Sequence, residues 1–216
     1  MVDILIADDH QIVRVGYQRL FELSGEHRVV AQASDGQQAV ALYKTMAPDL
    51  LVIDVMMPGP SIVNNLQRII NHDRHAWILV VSMHDNLSLV ERCFKAGALG
   101  YITKSSEATV LLDGLAQVSK GKRFVSPDIA ERMALNQLNN QERSVLSLLT
   151  QREFDVFLRL AKGQAIADIA DEVHLSSKTI SNYASKIKKQ LSVSTTAELV
   201  HLALQENLLD HQNAYE

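Results

Sequence analysis

The chain has 216 residues, with 47% apolar and 21% charged side chains, the profile of an ordinary globular protein. This excludes a disordered, collagen-like or coiled-coil chain, and the length favours two small domains. A net charge of −4 argues, taken whole, against a nucleic-acid binder, and a single cysteine, Cys93, excludes an internal disulfide or a zinc site built from two or more cysteines.

The first 120 residues alternate between two patterns. Short apolar, β-rich runs fall at 2–7, 29–33, 50–53, 78–81 and 100–102. Segments of helical spacing follow them at 12–23, 36–46, 62–71, 87–96 and 107–119. Continuous apolar strands alternating with helices predict a parallel sheet covered on both faces, a doubly wound (βα)5 α/β sandwich with strand order 2-1-3-4-5. In that architecture ligands bind outside the carboxyl ends of the strands. The stretch Lys120-Gly121-Lys122-Arg123 is expected to end the fifth helix. Ser126-Pro127-Asp128 then reads as an N-cap with proline at the first helical position, opening a short linker helix over 127–135. The amide-rich stretch 136–143 reads as a connector.

The last third carries no strand pattern. Thr150-Gln-Arg-Glu153 is a capping box, and Phe154, Phe157, Leu158 and Ala161 follow at helical spacing up to Gly163. Ile166, Ile169, Ala170 and Val173 mark a second helix, and His174-Leu175 a turn. Ser176 caps a third helix running to about Leu191, and Thr195-Thr-Ala-Glu198 opens a fourth. Four short helices with a tight central turn predict an all-α helix-turn-helix module. The expected layout is a first domain over 1–120, a linker over 121–147 and a helical domain over 148–216. No internal repeat is evident. No run approaches the ~18 apolar residues of a membrane span, and the apolar start is too short for a signal peptide. A cytoplasmic protein is expected.

Chemistry gathers at the strand ends. Asp8 and Asp9 follow the first strand and Asp54 ends the third, its neighbour in the predicted order, so three carboxylates meet at one rim. Such a cluster raises its own pKa values or binds a hard divalent cation, and Mg²⁺ suits it. Ser82 closes the fourth strand and Lys104 follows the fifth. A hydroxyl and an ammonium beside a cation are what a phosphoryl group needs on its oxygens. The inferred chemistry is attack by the Asp54 carboxylate on a phosphoryl donor, giving an aspartyl phosphate.

In the helical domain, a helix over 177–190 places Ile180, Tyr183, Ala184, Ile187 and Leu191 on one face. The other face carries Lys178, Ser181, Asn182, Ser185 and Lys189 and no acid. Lysines neutralise phosphates, asparagine pairs with an adenine edge, and serine serves several bases. The segment 173–197 holds Lys178, Lys186, Lys188 and Lys189 without an acidic residue. The whole-chain charge is therefore the wrong scale on which to exclude DNA.

Residues 6–10 (Ile-Ala-Asp-Asp-His), 54–58 (Asp-Val-Met-Met-Pro), Ser82, 96–101 (Ala-Gly-Ala-Leu-Gly-Tyr) and 103–104 (Thr-Lys) resemble the receiver domain of two-component response regulators. Residues 149–153 (Leu-Thr-Gln-Arg-Glu), Gly163, 169–170 (Ile-Ala), 175–180 (Leu-Ser-Ser-Lys-Thr-Ile) and 197–199 (Ala-Glu-Leu) resemble the LuxR-type module of the NarL/FixJ regulators. The segments 123–130, 133–135, 178–183 and 197–203 are most similar to the GacA/UvrY/SirA branch. The receiver resemblance implies Asp54 as phospho-acceptor, Asp8, Asp9 and the Met56 carbonyl around Mg²⁺, and Ser82 with Tyr101 as a switch pair. The phosphoryl group would come from a sensor histidine kinase or phosphotransfer protein. The second resemblance implies DNA binding as a homodimer enhanced by phosphorylation, with RNA polymerase as a further partner. Lys178 and Thr179 would position the backbone, Ser181, Asn182 and Ser185 would read bases, and Lys186 and Lys189 would flank phosphates. The branch implies a global regulator acting through small RNAs.

Four departures stand out. Ile62 replaces a loop glycine, Ser105 replaces a proline after the lysine, Ile166-Ala167-Asp168-Ile169 lacks a basic residue often found there, and Thr196 replaces an arginine. A phosphatase that also uses a nucleophilic aspartate needs an acid two positions on, where Met56 stands. A phosphorylation-independent DNA-binding regulator is the alternative function, and a protein- or RNA-binding helical module a further one.

Overall fold

A computed structural model describes residues 1–23, 25–138 and 144–209. Contacts divide the chain into two compact units, Met1–Leu135 and Asn136–Glu216. The connector expected over 136–143 lies in part outside the described residues.

In the first unit the elements run β1 (Val2–Ala7), α1 (Gln11–Leu23), β2 (His27–Ala33), α2 (Gly36–Met46), β3 (Leu50–Asp54), α3 (Ile62–His72), β4 (Trp77–Ser82), α4 (Leu87–Lys95), β5 (Gly100–Thr103), α5 (Ala108–Val118) and β6 (Phe124–Val125), and α6 (Pro127–Leu138) begins in this unit and ends three residues past Leu135. The sheet is parallel, in the order β2-β1-β3-β4-β5-β6. The expected order holds, with one strand added. Phe124 and Val125 pair with Gly100 and Tyr101, because α5 stops at Val118 and Gly121, at φ 70°, turns the chain back along the sheet edge. The basic stretch 120–123 thus lies just beyond the fifth helix, where the sequence places its end.

Strand alternation sends successive side chains to opposite faces. Ile4, Ile6, Leu50, Val52, Leu79 and Val81 pack with Phe21 of α1 and Leu111, Leu115 and Val118 of α5. Leu5, Leu51, Ile53, Ile78 and Val80, in the alternate positions, are just as fully buried. Each such side chain contributes roughly 1.5–3 kcal/mol by leaving water. This core holds the strand ends, and hence the acidic rim, in fixed register.

In the second unit a 3-10 turn (Val145–Leu148) precedes α7 (Gln151–Ala161), α8 (Ile166–Glu172), α9 (Ser177–Gln190) and α10 (Thr196–Gln205). The predicted capping box is present: Thr150 accepts from the Glu153 amide at 3.4 Å, and Glu153 accepts from the Thr150 amide at 2.8 Å. Phe154, Phe157, Ile169, Ile180, Ile187, Leu199 and Ala203 form the apolar centre. The turn between α8 and α9 is made by His174 at φ 54°.

Candidate functional sites

Asp8, one residue beyond β1, is buried, whereas Asp9 and His10 face solvent. The backbone at Asp8 is fixed from α1, because Arg14 donates to its carbonyl at 2.6 Å. Asp54 ends β3 and is buried, and its Oδ1 accepts from the Val55 amide at 2.6 Å and the Met56 amide at 3.4 Å. Lys104, in the turn after β5, is anchored by its amide on the Ser82 carbonyl at 2.7 Å. Its Nζ lies 2.6 Å from Asp8 Oδ2 and 2.8 Å from Asp54 Oδ2. Burial pushes the Asp54 carboxyl up, and the adjacent ammonium works against that rise. Burial alone would lower Lys104, yet Asp54 and Asp8 raise it overall, so it stays charged.

The ligand atoms of Asp8, Asp9, His10 and Asp54 lie within 4.8 Å of one another. Hard carboxylate oxygens at that spacing fit a divalent cation. His10 is absent from the residues expected here, although it follows both aspartates in sequence. Its Nδ1 lies 2.9 Å from Asp9 and 3.4 Å from Asp8, and its amide donates to Asp8 at 2.9 Å.

Ser82 is fully buried, and its hydroxyl accepts from the His84 amide at 3.0 Å. Tyr101 has no exposed surface, and its phenol donates to the His84 carbonyl at 2.7 Å. Burial raises this phenol well above its ordinary value, so it remains a neutral donor. The ring thus stands in the inward position. At the departures, Ile62 is buried at the start of α3 behind the Ser61 cap, Gly59 supplies a positive φ of 96° in the preceding loop, and Ser105 is exposed.

On α9, Ile180, Ala184, Ile187 and Leu191 are buried, and Tyr183 is half-buried. Lys178, Asn182, Ser185, Lys186 and Lys189 are exposed, and Thr179 and Ser181 are partly so. Ser181 donates its hydroxyl to the Ser177 carbonyl at 2.9 Å, and Ser185 to the Ser181 carbonyl at 3.0 Å. Thr179 is tied to the helix start, its hydroxyl 2.8 Å from Ser176. Lys186 has a second attachment: its Nζ lies 2.6 Å from Oε1 of Glu153, whose side chain is 1% exposed. The capping box engages Oε2 and leaves Oε1 for the lysine. In sequence Glu153 carries only the signature of a cap, and only the packing of α7 on α9 reveals the pair.

Residues 4–116 match the response regulator receiver domain, and residues 147–203 match the luxR family of bacterial regulatory proteins. The chain is 31% identical over 209 residues to response regulator UvrY of Escherichia coli K12, covering 96% of each chain. It is 30% identical over 211 residues to response regulator GacA of Pseudomonas aeruginosa, covering 97% of this chain and 99% of that one. Its fold matches RcsB of Salmonella enterica serovar Typhimurium bound to promoter rprA in the presence of phosphomimetic BeF3-. There the TM-score is 0.74 at 23% identity, over 94% of this chain and 98% of that one. At this identity the likeness concerns the fold. No helix among the described residues is long and apolar enough to cross a membrane.

Proposed function

We propose a mechanism for a chain that belongs to the response regulator family, a receiver domain joined to a LuxR-type DNA-binding domain: Asp54 takes a phosphoryl group, and the acquired charge governs DNA binding by α9. That family consists of transcriptional regulators rather than enzymes. The domains are read as 1–120, a linker over 121–147, and 148–216. The reading rests chiefly on Lys104, whose ammonium meets both Asp8 and Asp54 at the carboxyl ends of the strands.

A carboxylate oxygen of Asp54 attacks phosphorus in a phosphohistidine of a sensor kinase or phosphotransfer protein. The P–N bond breaks, and the imidazole leaves with the electron pair. Lys104 then neutralises charge on the phosphoryl oxygens. Asp8, Asp9, Asp54 and the Met56 carbonyl would hold Mg²⁺, which supplies further positive charge to carboxylate and phosphoryl oxygens. The Ser82 hydroxyl turns to the phosphoryl group, and Tyr101 holds the ring position that accompanies it.

Phosphorylation shifts the population toward a homodimer. Each α9 then enters a major groove, with Lys178, Thr179 and Lys189 on the backbone and Ser181, Asn182 and Ser185 toward base edges. Lys186 adds a phosphate contact if it leaves Glu153. Bound at promoters in the cytoplasm, the dimer would meet RNA polymerase and act as a global regulator.

The test is a mass measurement after incubation with a small acyl-phosphate donor and Mg²⁺. One phosphoryl adduct is expected, and it is lost in Asp54→Ala. An adduct that survives Asp54→Ala, or none in the wild-type chain, overturns the mechanism.

A further inference from the structure

The linker helix α6 starts against the turn that carries Lys104. Ser126, just before it, is fully buried. Its carbonyl accepts from the Ala130 amide at 3.0 Å, as a cap residue's does. Its side chain, however, is engaged elsewhere. The Thr103 amide donates to its Oγ at 3.4 Å, and it is hydrogen-bonded to the Asp128 carboxylate. Thr103, the residue before Lys104, also donates its hydroxyl to Asp128 at 2.9 Å. Burial works against the charge on Asp128, yet the hydrogen bonds from Ser126 and Thr103 hold its carboxyl below the ordinary value. One turn further along α6, Arg132 pairs with Asp85.

Asp85 lies in the loop that follows Ser82. In that loop the His84 amide donates to the Ser82 hydroxyl, and its carbonyl accepts from Tyr101. The first two turns of α6 therefore hold both loops that bring Ser82 and Lys104 to Asp54. A mobile ammonium or hydroxyl loses much of its effect on a reacting group, and a misplacement of 1 Å can cost ~10²-fold in rate.

We propose that Asp128 and Arg132 are positioning residues for phosphoryl transfer, so that α6 braces the Lys104 and Ser82 loops and is held more firmly when those side chains engage a phosphoryl group. The proposal rests on Asp54 as phospho-acceptor. It gives the segment leading into the second unit a direct stake in the state of the first. Coupling of this kind is reciprocal: whatever factor docked α6 contributes to phosphoryl binding, phosphoryl binding adds to the hold on α6.

The experiment uses the full chain with an acyl-phosphate donor and Mg²⁺, reading the phosphorylation rate by mass. It is paired with hydrogen exchange over 127–135, with and without beryllium trifluoride. Asp128→Ala is expected to slow phosphorylation at least about threefold, inside the range one misplaced group allows. Asp128→Asn, of the same shape, should keep part of the rate. Arg132→Ala should slow it too, and the exchanged pair Asp85→Arg with Arg132→Asp should recover it. In the wild-type chain, beryllium trifluoride should slow exchange over 127–135. Wild-type rates in both Asp128→Ala and Arg132→Ala, or exchange in α6 that beryllium trifluoride leaves unchanged or speeds, overturn the brace while leaving Asp54 as acceptor intact. A wild-type chain that takes no phosphoryl group overturns the Asp54 reading, and the brace with it.

Discussion

Replacing Lys104 with methionine removes the one cation among the described residues that touches both Asp8 and Asp54. Both carboxylates are buried, with side chains 2% and 6% exposed, and their oxygens lie within 4.8 Å. At an effective dielectric near 20, two unit charges at that separation repel by about 3.5 kcal/mol. Breaking a buried pair by removing one partner costs about 3–5 kcal/mol. In chelator at pH 7 we therefore expect Lys104→Met to destabilise the first unit by roughly that amount, a midpoint drop on the order of 10 °C. The sign with pH follows from Asp54. Its carboxyl is already raised by burial, and without the ammonium it rises further. Its folded-state value lies above its unfolded one, so ionisation disfavours the fold. The deficit should shrink as pH falls from 7 towards 5 and Asp54 takes up a proton. The wild-type chain adds an alkaline counterpart. Lys104 is raised in the folded state, so its contribution is complete below the unfolded value and disappears as pH climbs through the folded one. Thermal unfolding across pH 5–8, with Lys104→Arg as the charge-preserving control, reads the effect. A pH-independent deficit, or no deficit in chelator, would refute the reasoning.

Three further outcomes are expected. Lys189→Ala should reduce the salt slope of DNA binding by about 1 without altering the unfolding midpoint, whereas Lys186→Ala should lower the midpoint of the helical unit, because it strips Glu153 of its partner. Fluorescence titration across salt, paired with thermal unfolding, separates the two. His174→Gly should raise stability by up to about 1 kcal/mol in denaturant titrations, since φ 54° is a left-handed geometry that costs a side chain ~1–2 kcal/mol and costs glycine only its larger entropy loss. Asn182→Ala should lose about 1–3 kcal/mol of discrimination at one base pair, measured on an operator series, with affinity for random DNA unchanged.

The strands and the acidic rim were legible because each rests on local rules. Apolar runs such as 50–53, alternating with segments of helical spacing, point to a covered parallel sheet, and a parallel sheet sends Asp8, Asp54, Ser82 and Lys104 to one edge. β6 was not legible: two residues, Phe124 and Val125, carry no periodicity, and only the edge of β5 gives them a partner. The helical faces of α9 followed from spacing alone. The pair between Lys186 and Glu153 did not, since it joins residues 33 positions apart through packing. Ser126 shows the same division. Its place before Pro127 predicted a cap, and the carbonyl behaves as one, but its hydroxyl answers to Thr103 and Asp128, which only the tertiary fold brings near.

Ser181 and Ser185 of α9 spend their protons inward, on the carbonyls of Ser177 and Ser181. What each hydroxyl then presents outward is a lone pair. On the proposed recognition helix such a surface suits bases that offer an amino hydrogen in the major groove, cytosine through N4 and adenine through N6, and passes over the acceptor edges of guanine and thymine. In that proposed role Ser181 and Ser185 would favour donor edges in an operator, a selectivity set by backbone hydrogen bonding rather than by charge.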